Sequence, residues 1–88
     1  MSLSVAQGTV TATAREIFHC RAEVCILSLH NHSGGAVYIG EAGVTTTTGY
    51  EIRNNGEFIL TIYNEDKLFG VVSNGTATID ILHTQPNP

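Results

Sequence analysis

An all-β fold, a compact antiparallel sandwich or jelly-roll-like barrel of seven to eight short strands, is what this sequence predicts. Three observations lead there. Apolar and polar residues alternate with period two in one run after another, as they do when one face of a strand is buried and the other wet. Clusters of Gly, Asn and Ser fall between the runs, at a spacing of roughly ten residues. Helical periodicity is nearly absent: the best candidate, Thr13–Arg21, carries Ile17, Phe18 and Cys20 but no sustained 3.6-residue stripe.

Taken in order, Thr9-Val-Thr-Ala-Thr13 alternates Thr with small apolar residues. In Val24–His30, Cys25, Leu27 and Leu29 share one face, with Ser28 and His30 on the other. The stretch Ala36-Val-Tyr-Ile-Gly-Glu-Ala-Gly-Val-Thr-Thr-Thr-Thr-Gly-Tyr-Glu-Ile52 reads as a short strand, a Gly-punctuated turn, a second extended run and a tight return into a third. In Glu57–Asn64, Phe58, Leu60 and Ile62 oppose Ile59, Thr61 and Tyr63. Leu68–Ser73 follows, and in Thr76–His83 the inward set is Ala77, Ile79 and Ile81, against Thr78, Asp80 and Leu82. Asn-Gly pairs supply the positive φ values of two-residue hairpins. Asn54-Asn-Gly56 and Asn74-Gly75 are therefore expected to join paired neighbouring strands.

Eighty-eight residues make one domain, 1–88. A chain of this size buries roughly 60–65% of its unfolded surface, so association with another subunit would help it. The N-terminal stretch Met1–Gly8 and the tail 84–88, with Pro86 and Pro88, read as an arm and a tail outside the regular structure. The hydrophobic fraction of 42% is ordinary, but only 14% of residues are charged, against about 25% in a typical domain. Thr, Ser, Asn and Gly replace the missing charges, which makes the surface cheap to desolvate. The net charge is −4, and Arg15, Arg21, Arg53 and Lys67 are scattered. Nucleic-acid binding needs clustered cations, and a membrane surface helix needs a basic amphipathic stripe. Neither nucleic acid nor membrane is expected as a partner. The first residues lack the basic and apolar regions of a signal peptide, so synthesis in a cytoplasm is expected and Cys20 and Cys25 read as free thiols.

The candidate chemistry is sparse. His30-x-His32 is the sharpest metal candidate, since i and i+2 on a strand point to one side; the plain alternative is two solvated histidines at a strand end. Cys20, Cys25 and His19 lack the second ligand pair of a zinc site. Glu65-Asp66 reads as a solvated turn, and Asp80 faces outward. Asn31-His-Ser33 and Asn74-Gly-Thr76 match a glycosylation acceptor pattern but read as turn chemistry. Tyr38, Tyr50 and Tyr63 are candidates for stacking on a sugar or base. No catalytic residue, cofactor or metal site is expected, and the chain is not expected to be an enzyme.

The ordered pattern of Val37-Tyr-Ile-Gly40, Val44 to Ile52, Phe58–Tyr63 and Leu68-Phe-Gly-Val-Val72 with Ser73, Gly75-Thr-Ala77 and Ile79 to Leu82 resembles small all-β virion proteins of tailed bacteriophages. The resemblance runs from Val24 to Leu82 and rests on turn glycines and core alternation. It implies a capsid decoration (cement) protein, binding the outer surface of a phage head, with the major capsid protein as partner, capsomer junctions as the binding place, a homotrimer as the oligomer and the virion as the location. The alternative is a carbohydrate- or receptor-binding module of a phage fibre or tail.

Overall fold

A computed structural model describes residues 2–31 and 35–85, with side-chain environments from Val5 to Thr84 outside that gap. Eight strands follow one another: β1 (Ser2–Thr11), β2 (Arg15–His19), β3 (Val24–Asn31), β4 (Val37–Gly40), β5 (Tyr50–Ile52), β6 (Glu57–Tyr63), β7 (Lys67–Val71) and β8 (Thr76–Gln85). They form two four-stranded sheets, in the orders β1-β8-β3-β6 and β2-β7-β4-β5. Every pairing is antiparallel. Position by position, the two orders hold chain neighbours: β1 with β2, β8 with β7, β3 with β4, β6 with β5. This is the winding of a jelly roll. The first, built from the longer strands, is the long sheet; the second is the short sheet.

The core lies between them. Val10, Leu27, Leu29, Ile79 and Ile81 enter from the long sheet, Val37, Ile39, Ile52 and Leu68 from the short one. These are the inward positions that the alternation indicates in β3, β4 and β8. Leu27, Leu29, Ile79 and Ile81 are fully buried, and each such side chain contributes about 1.5–3 kcal/mol on leaving water.

Several expectations are corrected. Residues 2–8 are not an arm: Ser2–Gly8 is the first part of β1 and pairs with Gln85–Ile79 of β8. Its inward residues Ala6, Gly8 and Val10 are small, so the apolar signal is weak. They are small for a reason, since a Cβ on Gly8 would lie 3.1 Å from Ile17 Cβ. Thr84 and Gln85 likewise extend β8 and are not tail; residues 86–88 lie outside the described residues.

Neither Asn-Gly segment closes a hairpin. The Asn74-Gly75 turn, with Gly75 at φ +70°, carries the chain from β7 in the short sheet to β8 in the long one. The Asn54–Gly56 turn does the same between β5 and β6, with Asn55 at φ 62°. Turn chemistry reverses the chain; it does not decide whether the flanking strands pair. Among consecutive strands only β4 and β5 are partners.

Val44–Thr48 is not an extended run. Gly49 N–H donates to the Thr45 carbonyl at 2.8 Å, and the Thr45 and Thr48 hydroxyls accept from the backbone of Thr47, Thr48 and Thr45. The threonine run is a single self-capped turn.

Cys20 and Cys25 are joined in a disulfide, with Cα atoms 5.9 Å apart. The chain crosses from β2 to β3, and so from one sheet to the other, within the residues between them. That crossing aims both sulfurs into the core, where the two residues are buried. The spacing alone carried no such information.

Candidate interaction face and the residues singled out by sequence

The outward side of the long sheet is laid out in rows across its strands. One row is polar: Gln7 pairs in register with Asp80, Asp80 with His30, and His30 with Glu57. Gln7 Nε2 donates to Asp80 Oδ1 at 2.9 Å, and His30 Nδ1 lies 3.7 Å from Asp80 Oδ2. The next row is Val5, Leu82, Ser28 and Ile59. Beyond it come Thr84, Ile26 and Thr61, with the Ile26 amide donating to Thr84 Oγ1 at 3.3 Å. Val24 and Tyr63 close the series.

Six large apolar side chains thus stand in water on one face. Val5 is 66% exposed, Ile59 69% and Tyr63 61%, with Val24, Ile26 and Leu82 also exposed. Scattered exposed apolar residues are normal, but a contiguous set rimmed by polar groups marks an interaction surface. The face exists because β1, β3, β6 and β8 carry apolar residues on both sides of the pleat, and only one side reaches the core.

The terminal strands of this sheet are also open. β1 carries no charged residue between Ser2 and Thr11, and β6 carries none after Glu57; neither contains proline. Long neutral edge strands are templates for pairing with another chain, and proteins usually blunt them with charge, proline or a bulge. The short sheet is blunted. β2 starts with Arg15 and Glu16 and has a register shift between Glu16 and Phe18, while β5 is three residues long with Glu51 at its centre. The bulge turns both Ile17 and Phe18 towards the core, which is why β2 shows no clean alternation.

The other residues singled out by sequence are mostly structural. Asn31 is fully buried. Its Nδ2 donates to the Gly35 and Ile52 carbonyls at 2.7 and 2.8 Å, so it ties β3 to the short sheet. His30 lies in the polar row; His32 lies outside the described residues. Among the described residues no group of three or more His, Cys, Asp or Glu side chains is disposed to hold a metal. Asp66 Oδ2 accepts from the Tyr63 amide at 2.8 Å, and Glu65, at φ 68°, accepts from His19 Nε2 at 2.8 Å. The Glu65-Asp66 pair thus closes the β6–β7 turn.

The tyrosines are not brought together. Tyr63 is on the outer face of the long sheet. Tyr38 is half-buried on the outer face of the short one, beside Gly49. Tyr50 packs its ring on Phe58 with centroids 4.5 Å apart. A shallow groove of about 420 Å³ lies at the disulfide corner, lined in part by Phe18, Arg21, Cys25 and His83; Phe18 and His83 meet edge-on at 4.7 Å.

No family model matches the chain, and no curated protein is significantly similar to it. Among solved structures it is similar to a chain from Bacillus endospore appendages, described as a novel family of disulfide-linked pili, with TM-score 0.59 and 19% identity over 93% of this chain and 80% of that one. At that identity the likeness concerns the fold alone.

Proposed function

We propose that this chain is a structural subunit that associates with copies of itself into an extended assembly, fibre-like or lattice-like. The observation that carries the reading is the long sheet: its outer face exposes six large apolar side chains, β1 carries no charge and β6 carries only Glu57 at its first position, and no proline or bulge blunts either edge. An edge strand of one copy and that of the next form a heterologous contact, which propagates when its rotation does not close. The low charge content supports the reading, because little must be desolvated for copies to pack.

The similar appendage chain belongs to pili described as disulfide-linked. Here the two cysteines are bonded to each other and no free cysteine remains, so association of the oxidised form is non-covalent. The internal disulfide also fits a protein that works in an oxidising setting outside the cytosol. The finer reading implied by the sequence resemblance, cement on a phage head bound to the major capsid protein, is one assembly of this kind. The stacking-module alternative draws less support, since its tyrosines stand apart.

Electron microscopy of the purified oxidised chain over a concentration series tests the proposal. Fibres or ordered arrays that dissociate in detergent without reductant are expected. A monomer at every concentration, forming no array and binding no capsid, overturns it. Co-sedimentation with capsids separates the cement form from a free-standing fibre.

A further inference from the structure

The rows on the long sheet are complementary to themselves in one orientation. We infer that two copies pack their long sheets face to face about a twofold axis running along the strands, between β8 and β3. This rests on the self-association reading and adds a second, closed contact to the open one at the edges.

A face-to-face pair of identical sheets is related by a twofold axis lying in the interface. If the axis runs across the strands through the polar row, Asp80 falls on Asp80 and Glu57 on Glu57, like charge on like; if it runs through the apolar row Val5–Leu82–Ser28–Ile59, that row falls on itself, but the polar row falls on the row of Thr84, Ile26 and Thr61. Asp80 would then lie over Thr84, and His30 over Ile26, of the other copy. That buries charge against apolar and neutral groups, which is costly.

If the axis runs along the strands, each row falls on its own counterpart and the strand order is reversed, so β1 covers β6 and β8 covers β3. Val5 then lies over Ile59, and Leu82 over Ser28. Asp80 lies over His30, and Gln7 over Glu57. An imidazole N–H donates to a carboxylate, and an amide N–H₂ donates to the other, so every member of the polar row faces a group of matching hydrogen-bond chemistry. The order Gln7–Asp80–His30–Glu57, with its acceptors on alternate strands, is what makes the row self-complementary.

The area is adequate. Four strands about 4.8 Å apart and about seven residues of ~3.4 Å each project on the order of 450 Å². Side-chain relief raises the accessible area towards the roughly 600–1,000 Å² per partner of a standard interface. Sheets so packed lie about 10 Å apart and nearly aligned, as in a sandwich.

The test is sedimentation velocity on the full oxidised chain at concentrations below array formation. The wild type is expected to dimerise. Ile59→Lys should weaken the dimer about 100-fold or more, by placing an unpaired ammonium against Val5. Asp80→Lys alone and His30→Glu alone should each weaken it about tenfold. An equimolar mixture of those two variants should regain a heterodimer. In it the ammonium introduced by Asp80→Lys in one copy meets the carboxylate introduced by His30→Glu in the other, and the unchanged Asp80 and His30 meet each other. Circular dichroism confirms that each variant is folded. An Ile59→Lys dimer as tight as wild type, or loss in both single variants with no regain on mixing, overturns the pairing. Arrays that persist in Ile59→Lys would leave the edge-driven assembly standing and sink only the face contact; an Ile59-sensitive dimer without arrays would do the reverse.

Discussion

The two sheets use the same alternation for different ends. In the short sheet the outer face is covered by the chain itself. The loop between β4 and β5 folds back so that Val44 is buried, and Val71 is buried with it, yet neither belongs to the central core. Val44 can approach because Gly40 and Gly49 carry no Cβ: at Gly40 one would lie 2.9 Å from Val44 Cγ2, and at Gly49 it would lie 2.8 Å from both Val44 Cγ2 and Tyr38 Cβ. In the long sheet no loop among the described residues covers Val5, Ile26, Leu82, Ile59 and Tyr63 in this way. The lesson is that an outward apolar residue is not by itself a sign of an interface. It becomes one when the protein's own loops leave it uncovered.

That contrast can be broken at several points. The largest effect is expected where the sheets are held together. Asn31→Ala leaves the Gly35 and Ile52 carbonyls without their donor in a buried site, and should cost about 3 kcal/mol, read as a lower midpoint in urea at unchanged slope. Removing the disulfide with Cys20→Ala and Cys25→Ala together should cost about 2 kcal/mol, because the closed loop is short. The same measurement with and without reductant on the wild-type chain should reproduce that difference.

Gly49→Ala bears on the covered sheet. The added methyl meets Tyr38, Val44 and the Thr45 carbonyl, so the loop must lift, at about 1–2 kcal/mol. Faster amide exchange is expected at Val44 and Gly49, with little change in β3 and β8. If exchange rises equally in the long sheet, the loop is not a local cover. The smallest effect on stability is expected on the open sheet: Ile59→Thr should alter the unfolding free energy of the isolated chain by no more than about 0.5 kcal/mol, while still weakening self-association. A larger loss of stability would show that Ile59 packs within the subunit.

Much of this architecture is legible in the residues. Leu27 and Leu29, Val37 and Ile39, and Ala77, Ile79 and Ile81 recur at every second position because one face of each strand meets the core, and period two is a local property of the chain. The turn at Gly75 is legible for the same reason, since its positive φ depends on the residue itself. β2 is not legible, because its bulge breaks the alternation, and the first part of β1 is not, because close packing on Ile17 demands small residues there.

The candidate face was readable only in fragments. Val24, Ile26, Ile59 and Leu82 can be seen as outward positions in their separate strands, but nothing in the chain says that they lie side by side. By itself the sequence determined the strands, their inward sides and where the chain turns, for those follow from pleat geometry and backbone sterics. Tertiary structure alone decided which strands pair, that Asn54–Gly56 and Asn74-Gly75 cross between sheets, that Cys20 bonds Cys25, and that one apolar face is covered while the other is open. Those outcomes depend on contacts between residues far apart in the chain, whose register no local pattern encodes.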